Sequence, residues 1–551
     1  MKHEVPRRGE GAEPKTSRPS SSLTRPGCRG NRGRELRLIV CQNWTLIVPS
    51  LVVFLLGLAA PASLSQQPAK RARDFNEALG PLFCAQPQAP APLQLSRHRG
   101  DSPSDWVLRW NQIAMQANAL DHTPVAEGES RTFGEQLGPG RTSRAFAIVH
   151  IAIFDAVNAI ECGYRSYTGL PRVRERTSMK AAIAQAAHDT LVALYPSQAS
   201  TFDNLLAEDL SRIEDGREKT NGIALGQQAA AAILALRTDD GSPRAEISYE
   251  EYGAGDGPGI WRQDPVSRIP IALGAKWGEV RPFVMRSANQ FRVPPPPALT
   301  SRRYTNAFNE VKRLGGAGST PTERTEEQTV IGIYWGYDGT PGLGTPPRLY
   351  NQIAVHIADQ MRTEDVVELA RLLALIHTAM ADAGIACWES KYVYKFWRPV
   401  GGIREASPDT SPTGIGDGNP ATIGDPNFLP LGAPASNLTG PDFTPPFPAY
   451  PSGHATFGAA LFQTLRNFYR TDRIRFTFVS DEFNGVTRDN DGTIRPRIPR
   501  RFRSLSEAEE ENGQSRIYLG IHWEFDKTEG ITQGRRVANY VFDHAFEPDR
   551  R

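Results

Sequence analysis

The longest helical pattern in this chain runs from Asp365 to Trp397 and then meets Arg398-Pro399. Apolar residues recur along it at helical spacing, and a proline disfavours α geometry in the residue before it, so a long helix is expected to stop near Arg398. Further amphipathic helices are expected over Arg144–Ile160, Met179–Tyr195, Asn221–Arg237, His454–Tyr469 and about Thr528–Phe546. Alternating strand patterns are nearly absent, so the expected class is all-α. The expected architecture is a large helical-bundle protein of two bundles with long Pro/Gly-rich loops. Residues 63–300 form the expected N-terminal helical region and 301–551 the C-terminal catalytic region.

Two irregular stretches interrupt the helices, Thr238–Ser301 and Gly401–Tyr450. The second is crowded with Pro, Gly, Asp and Asn and is expected to cover a site, because loops of such length are usually functional or disordered. His150 and His377 lie inside apolar helices and are expected to be packed core residues.

Residues 1–62 are basic, with ten Lys/Arg against four Asp/Glu, and leave a body of 53 basic and 57 acidic residues. That balance speaks against a nucleic-acid surface. The apolar stretch Trp44–Ala60 contains Pro49 and ends in Ala60-Pro61-Ala62, which suits an export signal. The protein is therefore expected to be exported, to the periplasm or outside the cell, with an uncleaved membrane anchor as the alternative. No other segment is expected to span a bilayer. Among five cysteines, Cys84, Cys162 and Cys387 lie outside the leader and spell no disulfide framework or metal site.

Three short segments carry the chemistry. In "KYVYKFWRP", Lys391 and Arg398 stand two helical turns apart and are expected on nearly one face. In "PAYPSGHATF", Ser452 and Gly453 open a helix, where free amides and a hydroxyl can meet an anion. In "SRIYLGIHWEFD", Arg516 precedes His522 by six residues. Together these suit a tetrahedral oxyanion: Lys391, Arg398 and Arg516 neutralise charge, while Ser452 and the Gly453 amide fill the remaining acceptor positions. His454 and His522 are then free to move protons and to attack or ligate the central atom.

The order Lys391-x6-Arg398-Pro399, Pro451-Ser452-Gly453-His454, Ser515-Arg516-x5-His522 resembles the three-part signature of the type 2 phosphatidic acid phosphatase and vanadium haloperoxidase superfamily. "YDGTPGLGTPPRLYNQIA" and "PPFPAYPSGHATFGAA" resemble segments of the chloroperoxidase branch. The resemblance implies a vanadate cofactor with His522 as its axial ligand, which phosphate can compete away. It implies that Lys391, Arg398, Ser452, Gly453 and Arg516 hold the oxyanion and that Lys391 also assists catalysis. It makes His454 the acid–base residue toward hydrogen peroxide and Asp338 the partner of Arg516. Trp388 and Phe447 match positions on the halide side, and a phenylalanine at Phe447 leans toward the chloroperoxidases. The implied partners are hydrogen peroxide, a halide and an organic acceptor, with membrane contact only through an uncleaved N-terminal segment. A secreted acid phosphatase, with His522 as a phosphohistidine nucleophile, is the alternative, and a non-catalytic anion-binding helical protein is a more distant one.

Overall fold

The computed structural model describes residues 100–549. The basic leader, the apolar stretch Trp44–Ala60 and Cys84 lie outside the described residues. Helices account for most of the fold: α1 (Pro103–Asp121), α2 (Pro139–Glu161), α3 (Met179–Leu194), α4 (Ala199–Ser211), α5 (Arg217–Arg237), a single turn α6 (Tyr249–Tyr252), α7 (Arg302–Leu314), α8 (Glu326–Tyr334), α9 (Pro346–Gln360), α10 (Val366–Tyr394), α11 (Pro399–Arg404), α12 (Gly453–Tyr469), α13 (Leu505–Tyr518) and α14 (Glu524–His544). The class is mainly α, as the periodicity implies.

The long helix α10 is the axle. Asp365 caps its start by accepting the amides of Val367 and Glu368, and Lys395 ends it in the left-handed region at φ 52°. It packs against α2 on one side and against α12 and α14 on the other. Position 300 falls in the loop ahead of α7, yet core residues from Trp106 to Phe546 belong to one hydrophobic cluster. Both α2 and α10 are long and apolar enough to cross a membrane, contrary to the sequence expectation. Here they are buried within the bundle, where an all-apolar helix surface is as well satisfied as in lipid.

Two further features depart from the sequence reading. The last helix begins at Glu524, four residues ahead of the expected Thr528. Residues 476–502 form an antiparallel hairpin, β3 (Phe476–Asn484) with β4 (Arg497–Phe502), whose register sets Thr477 opposite Arg501 and Val479 opposite Pro499. An internal proline and a register shift obscure its alternation, which suits a two-stranded element without a central strand. A second pair, β1 (Ile247–Ser248) with β2 (Ile271–Ala272), is two residues long.

Helices α12 and α14 make the closest large contact, and glycine permits it. A methyl group on Gly534 would collide with the Thr456 carbonyl and lie 2.8 Å from Ala459 Cβ. Gly530 one turn earlier meets the Ser452 carbonyl and Ala455 in the same way. This crossing sets the start of α12 beside the start of α14, and both carry site histidines nearby. Gly534→Ala is expected to cost about 1–3 kcal/mol through overpacking, read as a lower thermal midpoint.

His150 and His377 do pack in the core, with rings stacked at 4.5 Å between α2 and α10. Neither ring nitrogen of His150 has a hydrogen-bond partner, and burial pulls its pKa down to about 3. Its folded pKa lies below the unfolded value, so its contribution is fully present above about pH 6.5 and is lost as pH falls toward 3. The stability difference between wild type and His150→Leu should therefore shift by about 1.4 kcal/mol per pH unit below pH ~6.5. Denaturant melts at a pH series check it; a constant difference contradicts it.

Candidate active site

The site lies where the starts of α12 and α14, the end of α13 and the loop before α9 converge. A small cavity of about 60 Å³ opens there, lined by Asp338, Trp388, Phe447, Gly453, His454, Arg516 and His522 among others. That is room for a few water-sized species.

His522 sits just ahead of α14 and its ring is held at both nitrogens. Arg398 Nη1 donates to Nε2 at 2.9 Å, so Nε2 carries a lone pair, and Nδ1–H donates to Asp526 Oδ2 at 2.8 Å. Burial, followed by the charges of Arg398, Lys391 and Arg516, holds His522 well below the usual histidine range. It is therefore a neutral imidazole with its basic nitrogen fixed in place.

His454, in the first turn of α12, is oriented the other way round. Its only way to bond the Gly336 carbonyl, 2.7 Å from Nε2, is as a donor, which leaves the lone pair on Nδ1. Its backbone carbonyl accepts from Tyr350 Oη at 3.0 Å and from Asn512 Nδ2 at 2.9 Å, tying α12 to α9 and α13. Burial and then the Arg516 charge depress its pKa strongly, so it too is neutral and can accept a proton.

The guanidinium groups supply unused donors. Arg516 at the end of α13 gives Nη2 to both oxygens of Asp338, at 2.7 and 2.9 Å, while its Nε and Nη1 are buried without partners. Arg398 donates Nε to the Phe447 carbonyl and Nη1 to the Ile521 carbonyl, each at 2.9 Å, and Nη2 is buried without a partner. Orphaned buried cationic donors are costly unless an anion answers them. Three such nitrogens, the first-turn amides of α12 and the Ser452 hydroxyl, which caps Ala455 N at 3.4 Å, fit a multi-oxygen anion such as vanadate or phosphate. Gly453 has a steric reason as well: a side chain there would press on Trp388, whose Cη2 would lie 3.2 Å from the added carbon.

Lys391 and Arg398 do not share a helix face. The helix ends at Tyr394 rather than at Trp397, the chain turns through left-handed Lys395, and Arg398 caps the separate short helix α11. Lys391 is fully buried but outside the cavity lining, and its ammonium donates to the carbonyls of Pro448 (2.9 Å), Ala449 (2.9 Å) and Pro451 (2.5 Å). Burial pulls its pKa down to about 7. In this geometry Lys391 secures the proline-rich loop under the site, and its charge reaches the cavity through space. The loop Gly401–Tyr450 does cover the site, contributing Phe443, Pro445, Pro446 and Phe447 to the wall. Trp388 and Phe447 meet there with ring centroids 4.9 Å apart.

Sequence reasoning passed over Asp526, although it stands four residues after His522 in the quoted segment. Its Oδ2 also accepts the Trp523 amide at 3.0 Å, so it caps the start of α14 while selecting the His522 tautomer. An acid one helical turn after a histidine is the signal that would have found it. Asp526→Asn is expected to weaken oxyanion binding about 10–100-fold, the usual cost of disturbing the partner of a ligating histidine; a vanadate titration measures it.

Fold and site together define an α-helical protein with a buried oxyanion pocket, in which one neutral imidazole is left with a lone pair on Nε2 and another with a lone pair on Nδ1. Comparison with known proteins narrows the class. Residues 371–548 match the family described as the VCPO second helical-bundle domain. The chain is 33% identical over 523 residues to the vanadium chloroperoxidase of Curvularia inaequalis, an alignment covering 79% of this chain and 81% of that protein. It belongs to the vanadium chloroperoxidase family. The same fold is found in a bacterial vanadium-dependent iodoperoxidase (TM-score 0.61, 22% identity, 80% of this chain and 97% of that one). A holo-type bacterial vanadium-dependent chloroperoxidase is also similar (TM-score 0.55, 16% identity, 76% of this chain and 95% of that one).

Proposed function

We propose that this enzyme, a vanadium-dependent haloperoxidase that oxidises halide with hydrogen peroxide, takes chloride as well as bromide and iodide. The observation that carries the halide assignment is the apolar wall formed by Trp388 and Phe447 beside His454, with no titratable side chain at Phe447.

Vanadate, when bound, supplies a Lewis-acid centre that activates peroxide toward halide without changing oxidation state. His522 Nε2, which carries a lone pair here, would hold the group, and Arg398 would be among the residues that hold its oxygens. Arg398 Nη2 and Arg516 Nε and Nη1 balance the oxyanion's charge, helped by the α12 amides and Ser452. Asp338 holds Arg516 in place, and burial pushes its own carboxyl up against the pull of that guanidinium. His454 Nδ1 takes the proton that peroxide must lose, while Trp388 and Phe447 keep water from competing with halide. The cavity of about 60 Å³ suits peroxide and halide but not a bulky organic acceptor. The acceptor is therefore halogenated by hypohalous acid released from the site.

A halide series tests the assignment: turnover is measured with chloride, bromide and iodide in the vanadate-loaded enzyme. Turnover with chloride supports it, and turnover restricted to iodide overturns it. We further propose export through the N-terminal apolar segment, supported by Ala60-Pro61-Ala62 after Trp44–Ala60. N-terminal sequencing of protein recovered outside the cytoplasm checks this, and a retained Trp44 contradicts cleavage.

A further inference from the structure

We propose that the outer face of the β3–β4 hairpin docks on an anionic lipid surface. The hairpin is two-faced. Phe476 and Phe502 point into the core, and Arg500 is held on that side by Glu511 and Glu327. The opposite face exposes Arg497, Pro499, Arg501 and Arg503 on β4, and Thr477 on β3, with Arg473 and Arg475 just before it.

These arginines are in excess of the local acids. Arg503 is paired with Glu507. Among the described residues no ion pair is made by Arg473, Arg475, Arg497 or Arg501. The carboxylates nearby are committed: Asp472 and Glu509 to Arg466, Glu510 to Lys527, Glu511 to Arg500 and Asp489 to Arg495. Asp491 at the turn accepts the Thr493 amide and stands against the trend. Alternate residues on a strand lie about 6.7 Å apart and paired strands about 4.8 Å apart. The ribbon thus holds guanidinium forks in a shallow array suited to phosphate esters on a plane.

The far end of the hairpin favours a lipid surface over a polyanion such as DNA. Val486 and Ile494 flank the turn and are 50% and 49% exposed. Apolar side chains beside a basic face gain free energy by entering the headgroup boundary, whereas a nucleic acid backbone offers them nothing comparable.

The test uses the full chain and vesicles of phosphatidylcholine with and without phosphatidylglycerol. The variant combines Arg473→Gln, Arg475→Gln, Arg497→Gln and Arg501→Gln. Its binding to anionic vesicles at low salt is expected to weaken roughly fivefold per arginine removed. Wild-type binding should fall as salt is raised. Val486→Asp with Ile494→Asp should weaken binding as well. Thermal midpoint and halogenation turnover should match wild type in both variants. Equal partitioning of wild type and the arginine variant assigns any binding to the N-terminal residues and overturns the proposal. Indifference of wild type to phosphatidylglycerol, or preference for a DNA duplex over the vesicles, overturns it too.

Discussion

Replacing His522 with alanine is expected to abolish tight vanadate binding, with Kd rising by well over ~100-fold, since disturbing a ligand's partner alone costs about 10–100-fold. The expectation follows from how the ring is held. Arg398 and Asp526 bracket its two nitrogens, and both neighbours are buried, so the ring is fixed with its lone pair on Nε2. Of the two other imidazoles in the lining, His122 has both ring nitrogens bonded to backbone, and His454 has its lone pair on Nδ1 because Nε2–H is given to Gly336. Removing His522 also takes one of two partners from Arg398 Nη1 and from Asp526 Oδ2, so the variant should melt lower. Equilibrium binding of vanadate to the refolded, metal-stripped variant is the measurement. Retained tight binding would show that the arginines and helix amides alone hold the anion.

His454→Ala is expected to behave differently: vanadate binding stays largely intact while kcat falls about 10²–10⁴-fold, the usual loss when a positioned acid–base group is removed. Among the described residues no hydrogen bond joins it to His522 or Asp526, and the buried donors left without partners belong to Arg398 and Arg516. Two features fit it to accept a proton at neutral pH. Burial and the Arg516 charge keep it unprotonated, and its backbone carbonyl is fixed by Tyr350 and Asn512. Equal loss of binding in both histidine variants would contradict the division of labour between them.

Much of this site is legible in the sequence because its parts are short-range. The start of α12 follows from Ser452 as an N-cap after a proline run, and the pairing of Arg516 with Asp338 follows from the family resemblance. The helical class is equally legible, since α2, α3 and α10 carry unbroken apolar patterns within a few residues of their observed bounds. What escaped depends on the backbone leaving regular geometry or on contacts distant in sequence. Helical spacing places Lys391 and Arg398 on one face, but left-handed Lys395 breaks the helix between them and no local propensity announces it. The loop carbonyls that take the Lys391 ammonium are 57 to 60 residues away, so its anchoring role has no signature near the lysine. The β3–β4 hairpin is obscured by its proline and register shift, and the reason for Gly530 and Gly534 appears only once α12 crosses them.

The central claim is that this cavity runs halide oxidation on a histidine-held vanadate and not phosphate-ester hydrolysis. The direct test is bromination of monochlorodimedone by metal-stripped protein supplied with hydrogen peroxide and bromide, titrated with orthovanadate, alongside a phosphomonoester assay on the same sample. Turnover that rises with vanadate, saturates and is competed away by phosphate is the predicted result. Phosphomonoester hydrolysis that vanadate inhibits, with no bromination at any vanadate level, would contradict the account and make His522 a nucleophile.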